Sequence, residues 1–126
     1  MKTLITTEQK RLLENSIVSF STSSIRCRPN LVAVSCVKVV AEDKILITDN
    51  FFGKTRKNLL DNSMVSMAVW SPKGTKGWQF KGTARYCTRG KWKKVVDRMK
   101  ENKGLAHKAA VVIQVKEIYN LASPNS

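Results

Sequence analysis

Apolar positions along this chain recur with two periods, and the changes between them outline the elements. Near the start, Thr6 or Thr7 stands ahead of Glu8 and Gln9, and Leu12 and Leu13 supply an apolar side. A capping residue before such a segment predicts a short helix over about 6–15. From Ile17 the period becomes two, and Ile17 to Thr22 reads as a strand. Ser23 to Pro29 is turn-like. Asn30 to Val40 reads as one long strand, Ala41 to Lys44 as a polar turn, and Ile45 to Thr48 as the return strand of a hairpin. Gly53 to Asn62 carries Leu59 and Leu60 among good helix formers and predicts a second helix. Met64 to Trp70 is the next strand, and Ser71 to Gly77 is a loop with strong breaker chemistry. In the strand Trp78 to Thr88, Gly82 marks a bulge or a close backbone approach. Gly90 opens a third helix, on which Trp92, Val95, Val96 and Met99 share one face at i, i+3, i+4 and i+7. Lys91, Lys93, Lys94, Arg98 and Lys100 take much of the remainder. A last strand, about Ala109 to Glu117, leads into a tail, about 121–126, with no structure of its own.

The elements describe a mostly β chain with short helices, forming one domain over 1–126. Six strands joined mainly by hairpin-length connections predict an antiparallel sheet rolled into a barrel. Neither a βαβ alternation nor a Gly-x-Gly-x-x-Gly sequence is present, which disfavours a dinucleotide-binding doubly wound sheet. No stretch approaches the roughly 20 apolar residues of a membrane helix, and the first residues hold no secretory signal. A cytoplasmic location is expected. Cys27, Cys36 and Cys87 are odd in number and far apart, so reduced thiols are expected. With His107 as the single histidine, no metal site is expected.

Charge changes the picture. Twenty-three Lys and Arg against nine Asp and Glu give a formal net charge of +14. Such a field attracts polyanions, whether nucleic acid, acidic proteins or phosphate-bearing small molecules, and also serves plain solubility.

The chemistry concentrates in Thr48-Asp49-Asn50-Phe51-Phe52-Gly53-Lys54-Thr55, where a strand ends and a helix begins. Lys54, Arg56 and Lys57 stand at the positive end of the helix dipole, which disfavours cations. An anion held by the first-turn N–H groups reverses that balance, and Thr55 adds a hydroxyl. Side chains pointing to water cost only tenths of a kcal/mol, so the residues alone leave both readings open.

A family resemblance, carried by the order and spacing of several segments, tips the choice. Pro29-Asn30-Leu31-Val32-Ala33-Val34 opens the long strand, followed by Thr48-Asp49-Asn50-Phe51 to Lys54-Thr55, Asn58-Leu59, Met64-Val65-Ser66, Gly77 to Ala84, and Lys108 to Val112. From about Asn30 to Leu121 the chain resembles the pyridoxamine 5′-phosphate oxidase-related, FMN-binding split-barrel proteins, in particular their short, barrel-only members. That resemblance implies a six-stranded antiparallel split β-barrel of Greek-key type. It implies a homodimer with FMN between the subunits. It places the FMN phosphate at Lys54 and Thr55, and the ring near Val34, Ser35 and Cys36 and the corner Thr48, Asp49 and Asn50. Gln79 and Lys81 point the same way along their strand and are further candidates to face the cofactor. The chain departs from the family in two places. Ser23 to Pro29 replaces the Asp-Gly hairpin often found before the long strand. The basic C-terminal extension of the full-length oxidases is not matched, so pyridoxamine phosphate is not the expected substrate.

The expected function is that of an FMN-dependent oxidoreductase, such as a flavin reductase, or of an electron carrier, with NAD(P)H or an acidic redox partner. Lysines near the flavin would favour its anionic reduced form. Cys36 is read as a packing residue rather than a reactive thiol, and His107 as a polar turn residue. The alternatives are a deazaflavin or haem in the same barrel, and a nucleic-acid-binding barrel. In the last, basic residues interleaved with Trp78, Phe80, Tyr86 and Trp92 form a stacking platform.

Overall fold

The computed structural model describes residues 4–121, so the tail expected at about 121–126 lies, beyond Leu121, outside the described residues. Ten helices and strands follow in chain order: α1 (Thr7–Asn15), β1 (Val18–Ser23), β2 (Pro29–Val34), β3 (Val37–Ala41), β4 (Lys44–Asp49), α2 (Lys54–Asp61), β5 (Met64–Trp70), β6 (Gly77–Cys87), α3 (Lys91–Arg98) and β7 (Ala109–Asn120), with a 3-10 turn at Lys100–Asn102.

All pairings are antiparallel, and one sheet runs in the order β2-β1-β5-β6-β7-β4-β3. The count is therefore seven strands, not the expected six, because the long strand breaks at Ser35 and Cys36. Its first part pairs with β1, Val18 opposite Val34, and its second with β4, Val37 opposite Ile47. The two edges of the sheet are thus consecutive stretches of one chain. The curled sheet is joined edge to edge only through that break, the arrangement of a split barrel. Alternation hid the break. Inward positions are Val32 and Val34 in β2 but Val37 and Val39 in β3, a slip of phase through a segment apolar at both parities.

The barrel interior is filled by Phe20, Ile45, Ile47, Met67, Val69, Phe80, Val111 and Ile113, each at most 1% exposed. A second cluster lies outside the barrel wall, where Leu46, Ala110 and Val112 meet Val96 and Met99, with Trp92 and Val95 alongside. Covered on both faces, β4 and β7 read as continuous apolar runs rather than alternating ones. The apolar face expected of α3 is the one that packs, although the helix ends at Arg98 and Met99, expected on it, follows in extended backbone. Lys91, Lys94, Arg98 and Lys100 stay exposed and Lys93 half-buried. Thr6 caps α1 through a capping box with Gln9, and the wholly buried Leu13 joins α1 to the interior cluster.

Gly82 sits at a register shift between β6 and β7, the bulge and close backbone approach that the sequence implies.

Candidate functional site

The strand break and the corner after β4 face each other across a cleft of about 500 Å³, within the usual size range of small-molecule sites. One wall is β2 and the break, with Asn30, Val32 and Val34 continuing into Ser35 and Cys36. The other is the corner, with Thr48, Asn50, Phe52 and the start of α2 at Gly53, Lys54 and Thr55, while Leu105 adds apolar surface. More apolar than polar surface faces the opening, and the lining cation, Lys54, sits at one end.

That end is built around α2. Its first turn has no side-chain cap and no acidic residue, so its N–H groups are the orphan donors of a helix start. Lys54 is exposed at the mouth. Thr55 is 2% exposed, and its Oγ1 accepts from Asn30 Nδ2 at 2.9 Å. Asn30 Nδ2 also lies 3.3 Å from Thr22 Oγ1, which accepts from Asn58 Nδ2 at 3.0 Å. A polar seam thus ties α2 to β1 and β2. Lys54 also borders a groove with Arg28 and Lys57, which puts two further cations near this end.

A second, buried network fixes the corner. Asn102 Nδ2 donates to Thr48 Oγ1 at 2.9 Å and to Val96 O at 2.8 Å, and Asn50 Nδ2 lies 3.3 Å from Asn102 Oδ1. Asn50 Oδ1 accepts from the His107 backbone N–H at 2.7 Å. His107 takes a left-handed φ of 30°, and its Nδ1 lies 2.7 Å from Asp97 Oδ1. Lys93 first, and His107 after it, hold the Asp97 carboxyl below the ordinary carboxylate range.

Asp49 belongs to the support rather than to the cleft wall. Its carboxylate is fully buried, accepting from the Phe52 N–H at 2.9 Å and from the Tyr86 hydroxyl. Burial, and then the hydrogen bond to Asp49, push the Tyr86 hydroxyl well above the ordinary tyrosine range. The folded value therefore exceeds the unfolded value of about 10. The bond's contribution to stability is full below pH ~10 and is lost as pH rises toward the folded value. Urea midpoints of the wild type should fall above pH ~10 more steeply than those of Tyr86→Phe, and parallel curves would remove this pair from the corner's support.

Of the residues singled out in the sequence, Val34, Ser35, Cys36, Thr48, Asn50, Lys54 and Thr55 come together in the cleft. Gln79 and Lys81 do not. They lie on the outer face of β6, where Lys81 Nζ sits 5.2 Å from the centre of the Tyr119 ring. Cys36 half-lines the cleft at the strand break, with Asn50 Nδ2 3.8 Å from its Sγ, rather than being packed inside a strand. The residues not foreseen are Asn30, Asn102, Phe52, Leu105 and Arg28. Asn102 follows α3 in a stretch dominated by charge, and nothing in its neighbours' pattern marks it as a buried hub. No helix among the described residues is long and apolar enough to cross a membrane.

A sequence profile of the family described as pyridoxamine 5′-phosphate oxidase matches residues 5–122. The chain belongs to the pyridoxamine 5′-phosphate oxidase family. The match takes in α1 and β1 as well as the segments from Asn30 onward. The protein is 39% identical over 123 residues to the uncharacterized protein MJ0282 of Methanocaldococcus jannaschii, covering 94% of this chain and 82% of that one. It is similar to HupZ of Group A Streptococcus, with 28% identity, a TM-score of 0.85, and coverage of 95% and 96%. An FMN-binding protein of Syntrophomonas wolfei shares the fold at 20% identity and a TM-score of 0.75, covering 92% of this chain and 86% of that one. At 14% and 18% identity, so do an F420 reductase and the haem-storage protein HutZ of Vibrio cholerae, with TM-scores of 0.68 and 0.69. Members of this fold class thus carry names that refer to FMN, to F420 and to haem.

Proposed function

We propose that this family member is a flavoprotein that binds FMN in the cleft between the strand break and the corner after β4. The observation that carries this reading is the cleft's polarity. One end joins an uncapped helix start to Lys54 and the Thr55 hydroxyl, and the rest is lined by Val32, Val34, Phe52 and Leu105. A phosphate fits the first and a flat, largely apolar ring the second. Lys54 would pair with the phosphate, with Thr55 and the first-turn N–H groups as further donors. Exposed Ser35 offers polar atoms along the ring's edge, while Thr48 and Asn50, engaged with Asn102 and His107, hold the corner against it. Bound there, FMN would supply hydride and single-electron transfer, while the protein supplies position and electrostatics. The role is that of an oxidoreductase or an electron carrier.

Phe51 lines the cleft and is 78% exposed, and Leu31, next in sequence to the lining residues Asn30 and Val32, is 67% exposed. Large apolar side chains left in water beside a ligand site suit an isologous contact with a second copy, and the homodimer belongs to this proposal. Gln79 and Lys81, outward on β6, are available to such a copy rather than to their own cleft.

F420 carries a ring and a phosphate of the same kind, so the cleft suits a deazaflavin equally. Haem carries two propionates in place of a phosphate, anions that a helix start with a lysine also accepts, so the spectrum of the bound group distinguishes haem from flavin. The aromatic platform of the nucleic-acid reading is not assembled. Phe80 is 1% exposed in the core, and Trp78, Tyr86 and Trp92 are half-buried against the two apolar clusters.

Titration with FMN and with riboflavin tests the phosphate end. A charge-assisted hydrogen bond is worth about 1.5–3 kcal/mol. Two such bonds put FMN at least about 100-fold tighter than riboflavin. Equal affinities would remove the phosphate from the site.

A further inference from the structure

On the other side of the strand break lies a larger cleft, of about 780 Å³, that the flavin reading does not use. Cys36 lines the first cleft and its Sγ sits 4.0 Å from Glu101 O, while Val37 and Glu101 line the second, so the break forms the wall between them. The second cleft runs between the end of α1, the start of β3, and α3 with the 3-10 turn. Its floor is apolar, with Val37, Val95 and Met99, and five cations surround it: Lys38, Lys91, Lys94, Arg98 and Lys100.

The charge here is not neutralised internally. Two carboxylates line the cleft, Glu14 and Glu101. Glu14 Oε2 accepts the Val39 N–H at 2.9 Å and is thereby turned to the backbone. Lys91 lies 4.6 Å from the centre of the Trp92 ring. Among the described residues, Lys38, Lys94, Arg98 and Lys100 take part in no ion pair, although Lys93 on the same helix is paired with Asp97. Lys91, Lys94 and Arg98, at i, i+3 and i+7, form one face of α3, and like charges at such spacing repel. Lys38 approaches from the opposite wall. Convergent unpaired cations over an apolar floor suit an anion that also carries a flat organic group.

We propose that this second cleft binds a nucleotide bearing two or more phosphates. Its phosphates would meet Lys38, Lys94, Arg98 and Lys100, with Arg98 able to contact a phosphate through two N–H groups. Its base would lie against Val37, Val95 and Met99. A concave site of this volume fits a small molecule, whereas a nucleic acid would need a longer basic track with exposed aromatic rings. The inference stands apart from the identity of the ligand in the first cleft.

Calorimetric titration of the purified protein with NADP⁺ and with pyrophosphate, at low ionic strength, tests it. NADP⁺ should bind about tenfold or more tighter than pyrophosphate, because only it uses the apolar floor. Lys94→Glu with Arg98→Glu should weaken both ligands at least about 100-fold, through the loss of two charge-assisted contacts. Arg26→Glu with Lys73→Glu, an equal change of charge on exposed loops, should shift them about twofold, as a long-range field effect. FMN affinity should change by no more than about twofold in either double variant, the long-range field effect alone, which separates this cleft from the first. Four results would overturn the proposal: no NADP⁺ binding, equal loss in both double variants, competition between NADP⁺ and FMN, or binding of poly-glutamate in place of NADP⁺. The last would assign the cleft to an acidic protein.

Discussion

Lys54→Ala should weaken FMN binding by about 10- to 150-fold, the loss of one charge-assisted hydrogen bond worth about 1.5–3 kcal/mol. The side chain is exposed and lines the cleft at its polar end, so its removal leaves no hole in the core and the fold should be unchanged. Lys54→Glu should cost more, since it sets a carboxylate against the phosphate at the start of α2. Thr55→Val should cost about 1 kcal/mol in affinity as a neutral bond. It also removes the acceptor of Asn30 Nδ2, so some of its effect should appear as lost stability. Fluorescence titration with FMN, paired with urea unfolding, separates the two contributions. An unchanged FMN affinity in Lys54→Ala would move the phosphate away from this corner.

Gly82→Ala should be the most damaging single methyl in the barrel. A Cβ at this position would lie 2.0 Å from the Gln114 carbonyl oxygen, 2.9 Å from its carbon and 3.2 Å from Val115 Cα. All three are backbone atoms of β7, and no rotamer change relieves them. Overpacking in a close-packed interior typically costs 1–3 kcal/mol, and here the sheet itself must move, so a loss of at least about 3 kcal/mol is expected. Against a total of about 5–15 kcal/mol for an ordinary domain, that is enough to lower expression. Gly53→Ala, whose Cβ meets nothing within 4 Å, is the matched control and should fold normally. Unfolding free energies from urea titration that differ by less than about 1 kcal/mol between the two would contradict the close approach at the bulge.

Much of this fold was legible because its local signals are strong. The three helices carry their own boundaries, in the Thr6 capping box, the Asn62 that closes α2, and Gly90 before α3. Gly82 announced its bulge. The split in the long strand was not legible, because apolar residues occupy both parities between Val32 and Val40, and only pairing partners decide the phase. The cleft was legible where one segment supplies both ends of an argument, as Thr48 to Thr55 does with a strand end, a corner and a helix start. It was obscure where the partner is distant in sequence. Asn30 meets Thr55 across 25 residues and Asn102 meets Thr48 across 54, and neither distance leaves a mark in a single sequence. Asp49 shows the complementary limit. Its place in the corner was visible, but its work, holding Tyr86 and the Phe52 N–H behind the cleft wall, depends on a tyrosine 37 residues away.

The absorption spectrum of the protein as purified, followed by denaturation and analysis of whatever it releases, tests the central claim most directly. The account predicts a yellow protein with flavin bands that releases FMN, in roughly one copy per cleft, as expected for a largely pre-formed site. A Soret band, a released deazaflavin, or a colourless protein that gains no flavin bands on incubation with FMN would contradict it.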